Sequence, residues 1–283
     1  MNTYSEKLIT VEFKLYNQKE PVRLSDYRCA LSMSNAGGRS QSQIDLSIFN
    51  VNQDLTQMIV GQGFSTPRIT NAVVSVLAGA ANEQTQIYQG TIYDAFVDYN
   101  QMPDVPLRIK STSTYFYRVK PAAPNSYING VDVAEVIKGL AKACNYTFVN
   151  HGVGVILKDM YLCGSAIEQI MDCVDAADIG CTIHNGVVEI SRKGDFLSDV
   201  VTEISPETGL IGYPTVTNSG VLVNMVFSPK LRRLNRVNIK SGNKAANGLF
   251  TIRTMEHNIS TKTPGGAWLT SMLVFPVGEQ RTL

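Results

Sequence analysis

The sequence predicts a mainly β protein with an α+β segment in its middle third. Apolar residues alternate with polar ones along the first third, recur at helical spacing in the middle, and alternate again toward the C-terminus. Short strands separated by Gly, Pro and Asn are typical of a sandwich or a small barrel. We expect consecutive strands to pair antiparallel, because a parallel pair needs a long crossover connection.

The first third contains several strands of period two. The clearest apolar set is Ile9, Val11, Phe13 and Leu15. Similar patterns occur at residues 27–33, 44–48, 74–76, 87–97 and 105–109. Asn52 can cap a short helix that runs to Ile59. Because strands dominate this region, we assign residues 1–113 to a first β domain.

The middle third predicts two similar helix–hairpin units. In the first, Asp132 is a candidate N-cap before an apolar stripe, and a turn follows at Asn150-His151-Gly152. The stripe and the turn recur 34 residues later, at Ile167–Val174 and His184-Asn185-Gly186. Two copies are too few for a solenoid, so we expect one compact duplicated domain over residues 114–197.

The last third returns to strands. Apolar residues alternate from Val221 to Phe227, and further strands are predicted at 249–259 and 268–275. The turn Pro264-Gly265-Gly266 predicts a hairpin between the last two. Residues 198–283 therefore form a second β domain in this interpretation.

Charge is scarce in this chain of 283 residues. Charged residues make up 17%, and the formal net charge is +1. This balance argues against a broadly basic nucleic-acid binder and suggests a surface that other subunits cover. The longest apolar run, residues 72–81, is too short to span a membrane. The N-terminus lacks a signal-peptide pattern, so we expect synthesis in the cytosol.

Few residues suggest catalysis. The histidines are His151 and His184, both in predicted turns, and His257 on a predicted strand, where we expect partial burial and one hydrogen-bond partner. The sequence has neither a G-x-S-x-G elbow nor an H-E-x-x-H motif. Residues 35–40, with two adjacent glycines, faintly resemble a phosphate loop but predict a hairpin loop. Asp94 and Asp98 would serve a glycosidase only if they faced one cleft.

The five cysteines show no metal-binding spacing. No C-x-x-C pair occurs, so we expect buried free thiols and predict no metal and no cofactor.

A basic cluster lies in the last third with no acid among its members. It consists of Lys230, Arg232, Arg233, Arg236 and Lys240. The cluster is either a solvated face or the wall of a channel that DNA passes, and it has no interleaved aromatic residues for base stacking.

Several motifs in order resemble baseplate hub proteins of contractile-tailed bacteriophages. Residues 204–214 resemble the signature that opens the last β domain of that family, and residues 44–51 resemble its early strand. A strand with a central histidine and a Gly-Gly-x-Trp hairpin follow. The matching residues are Pro206, Thr208, Gly209, Gly212, Tyr213, Pro214, His257, Gly265, Gly266 and Trp268. The basic run at 230–236 departs from the family's more neutral turn.

The resemblance implies a non-enzymatic structural protein of the virion tail. Two tube-type antiparallel β-barrels would be joined through the small α+β domain. Three copies would form a pseudo-hexameric ring that adapts the sixfold tail tube to the threefold spike. Implied partners are the spike, the tail tube or tube-initiator protein, and the tape-measure protein in the lumen. DNA would meet the chain only in transit during ejection, and the chain itself would not contact a membrane. Assembly would take place in the host cytoplasm.

Two alternatives remain open at this point. The chain could be a tail-associated hydrolase of the cell wall, which would need two convergent carboxylates. It could also be a hexameric tube-initiator subunit, because the sequence alone does not distinguish three copies from six.

Overall fold

The computed structural model describes residues 6–15, 18–64, 71–198 and 200–277. Its strands are β1 (Lys7–Lys14), β2 (Val22–Leu24), β3 (Cys29–Asn35), β4 (Gln43–Phe49), β5 (Val73–Ala80), β6 (Glu83–Val97), β7 (Pro106–Thr112), β8 (Asn125–Tyr127), β9 (Val131–Asp132), β10 (Thr147–His151), β11 (Ile156–Leu157), β12 (Met160–Leu162), β13 (Ile179–His184), β14 (Val187–Arg192), β15 (Val201–Ile204), β16 (Thr215–Thr217), β17 (Gly220–Val226), β18 (Arg236–Ile239), β19 (Gly248–Thr261) and β20 (Trp268–Pro276). Its α-helices are α1 (Gln53–Phe64), α2 (Tyr115–Val119), α3 (Val133–Ala143) and α4 (Ala166–Ala176). Within these described ranges, no helix combines the length and the hydropathy that crossing a membrane requires.

One large sheet contains the strands of both the first and the last third of the chain. Its order is β16-β17-β20-β19-β3-β4-β7-β6-β5-β1-β2, and β18 joins β19 and carries β15. The mainly β prediction is therefore confirmed. Among the described residues, however, the strands of the first and last thirds form this single open sheet and not two separately closed barrels, and β8–β14 form three smaller sheets.

The predicted strands of the first third are confirmed by their burial. Ile9, Val11 and Phe13 of β1 are all buried, as period two requires. The helix α1 begins after Asn52, whose Oδ1 accepts a 2.8 Å hydrogen bond from the Leu55 N–H. The helix continues past the predicted end at Ile59 to Phe64.

The two predicted helices of the middle third, α3 and α4, are also confirmed, and the short helix α2 was not predicted. The Asp132 side chain accepts a hydrogen bond from the Ala134 N–H and caps α3. Ser165 and Glu168 form a capping box at the start of α4. The apolar stripes of both helices are buried in one core, which consists of residues between 133 and 190.

The prediction of a first hairpin is wrong. β10 pairs in parallel with β14, and β11 pairs with β9 instead of returning along β10. The Asn150 side chain accepts a hydrogen bond from the Val153 N–H and donates one to the Val153 carbonyl, both at 2.8 Å. These bonds direct the chain away from β10. Because α4 lies between β10 and β14 in the chain, it provides the crossover for a parallel pair. The second hairpin, β13–β14, is confirmed, with Asn185 and Gly186 in the left-handed turn.

The two parallel pairs, β10–β14 and β15–β18, join strands that are not consecutive in the chain, so the expectation of antiparallel pairing between consecutive strands is not contradicted. Elsewhere among the described strands, consecutive partners are antiparallel. We call Tyr115–Arg192 the middle unit, and β1–β7 with β15–β20 the β body.

Candidate assembly site where the chain segments meet

The strand pair β3–β19 joins the N-terminal and C-terminal parts of the β body. The two strands pair antiparallel from Cys29 opposite Thr261 to Asn35 opposite Met255. The ladder is continuous on both sides, because β3 also pairs with β4 and β19 with β20. The two β segments therefore behave as one body at this point.

Three aromatic rings reinforce the same junction. We call Phe227, His257 and Trp268 the aromatic cluster. The Phe227 ring meets the His257 ring at 5.0 Å and the Trp268 ring at 5.1 Å, both edge to face. Phe227 and Trp268 are buried in the core that otherwise consists mostly of first-segment residues. The amine of Lys7 lies 5.6 Å from the Trp268 ring centre.

His257 is more buried than predicted and has the expected partner. Its side chain is 2% exposed, and its Nδ1 lies 2.8 Å from the Thr270 hydroxyl. Burial lowers the pKa of His257 to about 4, and nearby His184 acts in the same direction. The ring is therefore neutral near pH 7 and serves packing.

The family-like stretch at 204–214 folds as a tight turn that continues along β17. The Ser205 N–H donates to Thr208 Oγ1 at 2.7 Å, and the Leu210 N–H donates to the Ser205 carbonyl at 2.9 Å. Gly209 takes a positive φ of 107°, and its carbonyl accepts from the Val226 N–H. A side chain at Gly209 would press on Val226, which explains the glycine.

Most of the remaining family-like residues of that stretch are exposed, whereas Pro214 is buried. Tyr213 is 76% exposed and lies against Gly242. The Pro214 carbonyl accepts a hydrogen bond from Asn243. Pro206 occupies the first position of the short 3₁₀ turn, and Gly212 has a positive φ. Both residues therefore have the geometry of turn residues.

The loop between β3 and β4 contacts both of the other segments. Arg39 in this loop donates to Asp172 at 2.8 Å and to Asp175 at 2.6 and 2.9 Å, both on α4. These hydrogen bonds raise the pKa of Arg39. The prediction of a hairpin loop at 35–40 is confirmed.

Arg233 completes the three-way contact. Its Nη2 donates to the Cys181 carbonyl of the middle unit at 3.2 Å. Its guanidinium fills the space beside Gly37, where a Cβ would lie 2.0 Å from Nε. Burial lowers the pKa of Arg233 to about 10. Because this value is still above 7, the guanidinium stays charged at pH 7.

A small cavity of about 30 Å³ opens at this contact. His184 lines it from the middle unit, and Arg232 and Arg233 line it from the β body. Burial lowers the pKa of His184 to about 4, and the charge of Arg232 adds to the shift. His184 is the last residue of β13 and not a turn residue as predicted.

The five basic residues do not form one patch. Arg236 stacks 3.9 Å over the Phe196 ring, and Lys240 pairs with Glu203. Arg233 points into the three-way contact described above. Only Lys230 and Arg232 are exposed without such a contact among the described residues.

The carboxylates considered for hydrolysis have structural neighbours. Asp98 accepts from Arg108 Nε at 3.1 Å and from the Asn100 N–H at 3.2 Å. Asp94 lies opposite Lys110 in the β6–β7 register. Of the other titratable groups, His151 contacts Glu189 at 3.2 Å. Four of the five cysteines are buried free thiols as predicted, and Cys163 is exposed.

Sequence patterns did not predict the Arg39 contact or the Gly37–Arg233 contact. The only signals were an arginine in a glycine-rich loop and two aspartates three residues apart on the polar face of α4. Neither signal identifies the partner, since Arg39 and Asp175 are 136 positions apart.

Solved structures of phage tail proteins share this fold. A tail protein of Neisseria meningitidis MC58 superposes with a TM-score of 0.66 at 8% identity, over 94% of this chain and 96% of that one. The 43 kDa tail protein of prophage MuSo2 from Shewanella oneidensis gives 0.63 at 10% identity, over 96% and 97%.

A component of the E. coli type VI secretion system gives a TM-score of 0.61 at 8% identity, over 94% of this chain and 77% of that one. That component is described as structurally similar to the T4 phage tail proteins gp27 and gp5. A search of curated proteins finds no match. The family model described as Baseplate hub gp41 matches residues 8–264. The chain therefore belongs to this family of baseplate hub proteins.

Proposed function

We propose that the chain is a non-enzymatic hub subunit of a contractile phage tail, and that three copies assemble into a ring. The observation that carries this proposal is the junction between the two β segments. The β3–β19 ladder and the aromatic cluster hold the segments in one body. Each copy would therefore bring two β units at a fixed spacing, and three copies would present six to a sixfold tube.

The division into three domains is part of the proposal. Three apolar cores support boundaries near 113 and 197: one mostly of residues 9–109, one of 133–190 and one of 204–274. The sheet ends at the short strands β16 and β2. In the ring, neighbouring copies would cover such edges and complete the two barrel-like units, which is how assemblies manage unpaired strands.

The proposed partners follow the symmetry of the ring. One side would meet the tail tube or tube-initiator protein, and the other the spike. The lumen would hold the tape-measure protein before DNA passes during ejection. The low charge supports contact with other subunits over much of the surface. Lys230 and Arg232 are the members of the basic cluster that remain available to face the lumen or a partner.

Native mass spectrometry of the full chain tests the copy number. We expect a species of three times 31.0 kDa, and electron microscopy of it should show a ring with an open centre. Added spike protein should bind one face and tube protein the other. A chain that stays monomeric at every concentration and binds neither partner would overturn the proposal, and six copies would favour a tube initiator.

A cell-wall zymogram tests the proposed lack of activity. We expect no clearing by the purified protein. Clearing that disappears in an Asp94→Asn, Asp98→Asn double variant would assign the chain to the hydrolases instead.

A further inference from the structure

We infer that the middle unit is a separable module docked on the β body, and that the ion pairs of Arg39 form a salt-sensitive contact that holds it in place. Three observations support this inference. The cores of the two bodies are separate, their contacts are mainly polar, and the Arg39 contact is the most exposed of the polar contacts.

The apolar cores show that the middle unit is not continuous with the β body. The buried cluster of the middle unit contains residues between 133 and 190 alone. By contrast, Phe227, Ile259 and Trp268 of the last segment are buried in the core of the first. Apolar burial is the main source of folding free energy, so the shared core binds the β segments to each other, and among the described residues no shared core joins them to the middle unit.

One aromatic pair and several polar contacts connect the two bodies. The pair is Tyr93 of β6 and Tyr115 of α2, whose ring centres lie 5.4 Å apart. Besides Arg39, the Asn185 amide donates to the Gln86 carbonyl at 3.2 Å, and the Tyr146 hydroxyl donates to the Ser113 carbonyl at 3.2 Å. Arg233 donates to the Cys181 carbonyl at the same distance. Water can replace each of these hydrogen bonds at a modest net cost, so separation does not require unfolding.

The contacts differ in their exposure to solvent. The Arg39 side chain is 56% exposed, and its partners Asp172 and Asp175 are 45% and 59% exposed. Mobile ions screen such charges. Arg233, in contrast, is largely buried against Gly37. The exposed contact therefore opens first, and the Arg233 side acts as the pivot. In this way the middle unit can change its orientation while the β3–β19 ladder stays intact.

Single-molecule energy transfer on the monomer tests the inference. One dye is attached to the exposed native Cys163 of the middle unit and the other to a Glu83→Cys variant of the β body. At 50 mM salt we expect one distance between the two dyes to dominate. At 1 M salt we expect the population of molecules with a second distance to increase. Arg39→Gln should raise the ratio of the second to the first roughly three- to tenfold at 50 mM salt and abolish most of its salt dependence.

Glu135→Gln is the matched control. It removes the exposed ion pair between Glu135 and Lys138. Both residues lie in the middle unit, so this ion pair does not connect the middle unit to the β body. We expect its distance distribution to match that of the unmodified protein. Identical distributions for Arg39→Gln and the unmodified protein at both salt concentrations would overturn the inference, as would an equal effect of Glu135→Gln. Circular dichroism on each variant confirms that it is folded.

Discussion

Trp268 packs edge to face on Phe227 with 5.1 Å between the ring centres, and both rings are buried in the core of the first β segment. Both residues come from the last segment of the chain, and their burial in this core ties that segment to residues more than 100 positions earlier in the sequence. We expect Trp268→Ala to cost about 3–5 kcal/mol of unfolding free energy, because a large aromatic side chain leaves a cavity.

Denaturant unfolding followed by circular dichroism measures this loss. The neighbouring variant Leu269→Ala is the control, because Leu269 is exposed on the opposite face of β20. Its cost should stay below about 1 kcal/mol. A Trp268→Ala protein as stable as this control would contradict the role of the aromatic cluster.

Gly37 leaves room for the guanidinium of Arg233. A Cβ at Gly37 would lie 2.0 Å from Nε, and φ is 76°. Because Arg233 also donates to the Cys181 carbonyl, it cannot move away without losing that bond. We expect Gly37→Ala to destabilise the protein by about 1–3 kcal/mol in thermal unfolding.

The adjacent glycine provides the comparison for that variant. Gly38 also has positive φ, but no atom lies within 4 Å of the place that a Cβ would take there. Gly38→Ala should therefore show the backbone cost alone, about 1 kcal/mol. If the two variants lose the same stability, the close contact with Arg233 has no energetic weight.

Acid should destabilise the fold through its buried histidines. The pKa of His257 is about 4 in the folded protein against an ordinary value of 6.5. Between these values the unfolded chain takes up a proton that the folded chain does not, so stability is full above pH 6.5, falls as the pH drops toward 4, and levels off below 4. The loss from His257 alone is on the order of 3 kcal/mol.

Urea unfolding at a series of pH values measures this slope. His257→Gln keeps a polar group near Thr270 but does not titrate, so its stability should fall less between pH 6.5 and 4. A residual slope from His184, whose pKa is lowered to about 4 in the same way, should remain. An unchanged slope in His257→Gln would show that other groups control acid stability.

The Thr208 hydroxyl is the central acceptor of the family-like turn. It accepts from the Ser205 N–H at 2.7 Å and lies 3.0 Å from the Glu203 carbonyl, to which it donates. Thr208→Val preserves the shape but removes both bonds, so we expect a loss of about 1–2 kcal/mol in thermal unfolding. Thr215→Val on the exposed strand β16 should change stability by less than about 0.5 kcal/mol. Equal losses of stability in Thr208→Val and Thr215→Val would show that the Thr208 hydroxyl does not stabilise the turn.

Local periodicity predicted most strands and the helices α3 and α4, and the reason is visible in β1 and α3. Their buried apolar residues follow period two and helical spacing, which depend only on neighbours in the chain. The first predicted hairpin failed because a strand has the same alternation whether its partner is antiparallel or parallel. The pairing of β10 with β14 depends on the crossover through α4, which periodicity does not encode.

The basic cluster shows a similar limit for the candidate site. Five neighbouring positions suggested one charged surface, yet Arg236 stacks on Phe196, Lys240 pairs with Glu203, and Arg233 enters the three-way contact. Spacing along an irregular segment does not fix the direction of each side chain. The segments that surround the cluster determine which charges stay exposed.

Composition and ordered motifs were sufficient to indicate a charge-poor, mainly β protein resembling baseplate hubs. These properties depend only on residue types and on their local order along the chain. The joining of the two β segments into one sheet, the burial of Trp268 in a distant core, and the contact of Arg39 with α4 emerged with the folded chain. Each of these features depends on residues that are far apart in sequence, and the free energy of bringing them together comes from the packing of the whole molecule.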